Sequence, residues 1–181
     1  MIKSSVTIAL VPEAKGGPFV YWGDLPNNCA KAAELGFDGV EIFPRSPESV
    51  DKSQFQDSLS KHNLQFAAMG TGAGMLVHNL SLTSKDINTR NKATEFIKSI
   101  IDFAGNLGAP AIIGSMQGRH GNGTSKEQAI EWLSSGLNEL GEYANQYKTP
   151  LLYEPLNRYE TNLFNTIGAV SYTHLTLPTK A

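Results

Sequence analysis

The sequence predicts an α/β fold, a partial (β/α)8 barrel with about five strands present and the C-terminal part missing. Three observations predict it. Short β-branched or apolar runs alternate with longer segments of helical period, the pattern that yields a parallel sheet covered by helices. The unusual residues gather at the carboxyl ends of those runs: Glu41, the glycine cluster at 70–74, the segment 117–121 and the segment 154–160. Closed barrels and doubly wound open sheets both collect function at that end, but no phosphate-binding glycine turn follows the first run, which favours the barrel.

Strands are placed at residues 5–11, 39–43, 65–69, 111–115 and 151–154. The first helix has Pro26 where a first turn tolerates proline, continues through Ala30, Ala33 and Leu35, and stops at Gly36. The second, 47–61, has only Val50, Phe55 and Leu59 as apolar positions, so it covers the sheet partly. In the third, Ala93, Phe96, Ile97, Ile100, Ile101, Ala104 and Leu107 form one stripe at three and four residue spacing, ended by Gly108 and Pro110. The fourth opens on Thr124-Ser125-Lys126-Glu127, read as a capping box between Thr124 and Glu127, and continues with Ile130, Leu133, Leu137, Leu140 and Ala144.

With 181 residues and 40% hydrophobic composition the chain can bury one sizeable core, and residues 1–168 are read as the N-terminal portion of one domain. Fifteen basic residues against 17 acidic ones leave a net charge of −2. That balance offers no broad cationic surface for a phosphate backbone, so nucleic acid is not an expected partner. The lone Cys29 cannot form an internal disulfide, and the apolar run 6–11 is too short for a secretory core or a membrane span. The expected setting is cytoplasmic, away from membranes.

Several motifs invite a functional reading and also have a plain one. Gly70-Thr71-Gly72-Ala73-Gly74 lacks the offset of a dinucleotide fingerprint and follows the third strand, so it reads as a tight loop where backbone approaches a ligand or strand. Gly118-Arg119-His120-Gly121 either brings a cation and an imidazole to the barrel mouth or is a solvated loop. His62 and His78 lack partners at ligand spacing and read as surface or helix-end residues. Glu41 either faces a pocket or caps a helix or ion pair.

The informative stretch is 151–166. An apolar strand delivers Glu154 at its end, and Pro155 stops ladder pairing and turns the chain away. A carboxylate so placed can bind a hard divalent cation or take a proton from carbon. Glu160 offers a second acid, with Asn157 and Arg158 between them as orienting groups; alternatively Arg158 and Glu160 pair across a loop.

Glu154-Pro155-Leu156-Asn157-Arg158-Tyr159-Glu160, followed by Asn162-Leu163-Phe164-Asn165-Thr166, resembles a motif of the xylose isomerase-like TIM barrel superfamily, nearest to ketose 3-epimerases of the tagatose and psicose type. The runs 32–41 and 108–113 resemble the same superfamily, and the likeness extends to about Gly168. The resemblance implies that Glu154 is a metal ligand and one of two proton-transferring carboxylates, and that Glu160 contacts substrate oxygens near the reacting carbon. Arg158 is read with Glu160 as substrate-binding. It further implies a divalent ion (Mn, Co or Mg), a sugar or sugar phosphate as substrate, and proton transfer next to a ketose carbonyl through an enediolate. The remaining ligands belong to strands absent from this chain, so the fragment is expected to be inactive, and the intact protein is a possible homo-oligomer. Hydroxypyruvate isomerase, inosose dehydratase and a non-catalytic sugar-binding barrel are the alternatives.

From Val170 the pattern changes abruptly to Val-Ser-Tyr-Thr-His-Leu-Thr-Leu-Pro-Thr, where a fifth amphipathic helix is due. That string resembles read-through of a sequencing adapter, so 169–181 is expected to be a non-native tail and His174 no ligand.

Overall fold

The computed structural model describes residues 2–166, together with Gly168 and Val170. Six strands form one sheet: β1 (Ser5–Ala9), β2 (Tyr21–Trp22), β3 (Gly39–Phe43), β4 (Gln65–Gly70), β5 (Ala111–Ile113) and β6 (Leu152–Tyr153). All pairings are parallel, in the order β2-β1-β3-β4-β5-β6. The intervening helices are α1 (Leu25–Glu34), α2 (Lys52–Lys61), α3 (Ala73–His78), α4 (Ile87–Gly105) and α5 (Lys126–Ala144). The result is the α/β strand-and-helix succession of a partial barrel.

Register decides which side chains see which face. Thr7 lies opposite Glu41, Ile8 opposite Ile42, and Ile112 opposite Leu152. Because side chains alternate along a strand, Ile8, Val40, Ile42, Met69 and Ile113 turn to the helices and are completely buried. Thr7, Glu41, Ile112, Leu152 and Glu154 belong to the opposite face, the wall of a cavity. The register between β3 and β4 shifts between Val40 and Glu41, a bulge that re-aims the side chain beside it.

Local chemistry explains the helix boundaries. Asp24 caps α1 by accepting from the Asn27 amide at 3.1 Å, and Gly36 ends the segment with φ +82°, a conformation that favours glycine. The α4 stripe is the deepest packing: Ala93, Ile97, Ile100 and Ala104 are completely buried. α5 lies against it, with Leu133 and Leu140 likewise buried.

The five expected strands are all present, but several details differ. β2 was not foreseen, because a two-residue strand has no periodicity to read. Its residues pair with Ile8 and Ala9 on the free side of β1. α3 emerges directly from the glycine cluster, where Gly74 lets the helix approach Met116 and Phe96: a Cβ there would stand 2.5 Å from the Met116 sulfur. The second helix is split, a 3-10 turn at Pro47–Ser49 followed by α2 capped by Asp51. The capping box at Thr124 is not formed. Thr124 is committed to a backbone bridge with Gly121, so Ser125 becomes the cap and accepts from Gln128. Among the described residues no helix is long and apolar enough to cross a membrane. The segment read as a non-native tail lies outside the described residues, apart from Val170.

Candidate active site

The carboxyl ends of the strands open into a cavity of about 1020 Å³ whose wall includes Thr7, Glu41, Phe43, Gly72, Glu154 and Glu160. Three carboxyl groups therefore share one space. Glu41 comes from the middle of β3, and accepts a hydrogen bond from the Thr7 side chain across the β1 register pair. Burial pushes its pKa up to about 7, the Glu154 charge adds to the rise, and the Thr7 bond offsets part of it. Of the two readings of Glu41, the pocket-facing one holds.

Glu154 follows β6 directly. Its amide donates to the Ile113 carbonyl at 3.0 Å, which extends the ladder by one bond before Pro155 ends it. The side chain is reached by solvent through the cavity mouth. Surrounding protein nevertheless raises its pKa by desolvation, and the nearby Glu160 carboxylate raises it further. Room for this carboxyl comes from Gly114, the residue after β5: a Cβ there would stand 3.0 Å from Glu154 Oε2.

Glu160 is returned to the cavity by a turn centred on Asn157. The Asn157 carbonyl accepts from the amides of Glu160 (3.1 Å) and Thr161 (3.2 Å), and its side chain accepts from Tyr159 N at 2.8 Å. Glu154 and Glu160 thus line one cavity, near enough for the charge of one to act on the other. Arg158 is exposed on the same turn and is not part of the cavity wall, and among the described residues no ion pair joins it to Glu160.

The other flagged residues have settled roles. Arg119 donates to the Tyr159 carbonyl at 2.8 Å, and His120 exchanges backbone bonds with the Asn162 side chain, so this segment braces the neighbouring loop. Gly70 and Gly72 lie against the Phe43 ring, where a Cβ on Gly72 would come within 2.9 Å of both that ring and the Ser115 hydroxyl. This is the close backbone approach expected of the cluster. His78 ends α3 and His62 follows α2, both helix-end positions.

Sequence reasoning missed Thr7, Gly114 and the buried Gln117. Gln117 stood at the edge of a flagged strand end, but nothing in its neighbours marked it as internal. An aromatic wall was also missed: Phe19 stacks on Phe43 at 5.1 Å and meets Trp22 edge-on at 5.7 Å.

Glu154 is one of three carboxyl groups that put hard oxygen donors on the cavity wall, with Glu41 and Glu160. Among the described residues no group of three or more His, Cys, Asp and Glu could hold a metal ion, so these residues do not complete a site. His174 lies outside the described residues.

A family model described as xylose isomerase-like TIM barrel matches residues 29–173. An L-ribulose 3-epimerase of Methylomonas sp. (strain DH-1) is 28% identical over 141 residues, which cover 76% of this chain and 47% of that protein. A fructoselysine 3-epimerase of Shigella flexneri is 26% identical over 139 residues, covering 73% and 49%. In fold, the chain is similar to a D-allulose 3-epimerase from Methylomonas sp. solved in complex with D-allulose, with TM-score 0.72, 23% identity, and coverage of 95% of this chain and 58% of the other. The chain spans about half the length of the curated relatives it matches. Parallel strands that deliver carboxylates to one end, and a family match over most of the sequence, make this chain a member of the xylose isomerase-like TIM barrel family.

Proposed function

We propose that the protein to which this chain belongs is a divalent-metal-dependent sugar isomerase or epimerase, acting on a ketose or ketose phosphate at the carbon beside its carbonyl. The observation that carries this reading is the meeting of Glu154 and Glu160, delivered by the end of β6 and the turn after it, in a cavity large enough for a sugar. The epimerase relatives support the substrate class.

In this proposal Glu154 removes the carbon-bound proton. The C–H electron pair becomes the double bond of an enediolate, and negative charge moves to the carbonyl oxygen. Glu154 suits the step because desolvation and the Glu160 charge raise its affinity for a proton. Glu160 holds substrate hydroxyls near the reacting carbon, and Arg158 on the same turn is assigned to the substrate by the motif alone. Return of the proton to the opposite face falls to a second carboxylate from strands beyond this chain. A divalent cation, with Glu154 among its ligands, would supply positive charge for the enediolate oxygens.

The test is a screen of ketoses and ketose phosphates with the intact protein, each of Mn, Co and Mg, and deuterated solvent. Exchange of the proton beside the carbonyl, abolished by Glu154→Gln, is the expected result. Turnover that survives Glu154→Gln overturns the assignment.

A further inference from the structure

Glu154 would be useless as a base if its strand end drifted, and β6 is only two residues long. A ladder this short has few bonds with which to hold the residue after it. The fixation comes from elsewhere. Gln117, in the 3-10 turn after β5, is completely buried, and its amide is fully engaged. Its Nε2 donates to the Gly114 carbonyl at 3.1 Å and to the Glu154 carbonyl at 3.2 Å, while its Oε1 accepts from the Tyr153 hydroxyl. Two donors and one acceptor are matched to three groups on the ends of β5 and β6.

We propose that Gln117 is a positioning residue that locks the end of β6 onto the end of β5 and so fixes where the Glu154 carboxyl stands. The proposal rests on the reading of Glu154 as the proton-transferring acid. Gly114 joins the two halves of the device: its carbonyl is held by Gln117, and its missing side chain leaves the space that Glu154 Oε2 needs. An apolar residue at 117 would strand the Glu154 carbonyl and the Tyr153 phenol and leave the Gly114 carbonyl only its bond from the residue-117 amide, and a glutamate would set acceptor against acceptor.

The lock continues along the loop that carries Glu160. Thr161, also completely buried, donates to the Gly118 carbonyl at 2.8 Å, beyond which Arg119 and His120 hold Tyr159 and Asn162. The bracing segment is itself anchored. Gly118, at φ +77°, packs so closely on Ser81 and Thr83 that a Cβ would stand 2.1 and 2.2 Å from their hydroxyls, and Thr83 Oγ1 bonds both the amide and the carbonyl of Arg119. Residues 81–83 hold 117–120, and 117–120 hold 154–162. Both carboxylates of the proposed site therefore sit on a loop stitched to its neighbour, a requirement for proton transfer at fixed distance.

The experiment compares the intact enzyme with Gln117→Met, Gln117→Glu and Tyr153→Phe, and with Ile97→Val as a control that loosens the core at α4. Steady-state kcat and KM for the ketose are read beside amide hydrogen exchange of residues 154–165 and the melting temperature. Gln117→Met is expected to lower kcat by about 10–100-fold with KM changed less than about threefold, and to speed loop exchange about tenfold. Gln117→Glu is expected to be no better than Gln117→Met, and Ile97→Val to leave kcat and loop exchange unchanged. Should Gln117→Met fail to fold, Tyr153→Phe decides, since it removes one hydroxyl and predicts a smaller change of the same kind. Fast loop exchange with unaltered kcat overturns the proposal, as does a loss of kcat with the loop still protected. A wild-type protein that turns over no ketose defeats the proposed function instead, and loop exchange alone then judges the lock.

Discussion

Glu41 gains its character from place: the sequence leaves a pocket-facing role and a helix-capping or ion-pair role both open, and its register in β3 decides for the pocket. Its pKa is raised from 4.5 to about 7, mainly by burial, and that shift fixes a stability profile. Below about pH 4.5 the carboxyl is protonated in both folded and unfolded chains, and its contribution is fully present. As pH rises to about 7 the unfolded chain gives up the proton first, so the contribution is lost through that window. Glu41→Gln is therefore expected to gain stability relative to the wild type between pH 4 and pH 8, by up to about 3 kcal/mol at roughly 1.4 kcal/mol per unit. Denaturant titrations at several pH values check this, and parallel profiles would contradict it. At the neighbouring strand end, Gly114→Ala is expected to push the Glu154 carboxyl aside and lower kcat by roughly tenfold while costing less than about 1 kcal/mol in stability, measured by turnover beside thermal melting.

At the scale of elements, α4 shows why its stripe was readable in advance. Within the stripe Ala93, Ile97, Ile100, Ile101 and Ala104 are buried and Phe96 packs on α3 beside Gly74 and His78, because a 19-residue helix has one face long enough to lie against β4, β5, α3 and α5 together. Ile100→Ala should cost about 2–5 kcal/mol, against less than about 0.5 kcal/mol for Ile87→Ala on its exposed first turn, and chemical denaturation separates the two. The closing of α4 on the turn after α5 depends on Gly105, whose absent side chain admits the Tyr147 ring to where a Cβ would stand 2.3 Å away. Tyr147 and Tyr143 both donate to Asp102, which fastens that junction. Boundaries were less readable than stripes. The choice of Ser125 over Thr124 as cap turned on a bridge between Gly121 and Thr124 that no local propensity encodes.

For the whole molecule, the sheet runs from β2 at one side to β6 at the other, and both outer strands are short. Among the described residues no strand pairs with the outer edge of β2 or of β6, and these edges, with the accessible Leu152 on the cavity face, invite pairing with another copy. The 181-residue polypeptide is expected to self-associate with rising concentration and to show no ketose epimerisation. Sedimentation velocity and a metal-supplemented assay test both statements, and a monodisperse monomer that turns over substrate would refute them.

Alternating apolar runs, the α4 stripe and the Glu154-to-Glu160 motif were sufficient to state the class, the succession of the main strands and one acid, since these depend on periodicity and on residues adjacent in the chain. Which residues stand around that acid was legible only for Glu41, and there with two readings open, because Thr7 comes from β1, Gly114 and Gln117 come from the turn after β5, and they reach Glu41 and Glu154 only through parallel register. Burial then does what sequence cannot: it makes Gln117 a buried tie between strand ends and gives Glu41 a proton near neutral pH, properties set by neighbours distant along the chain.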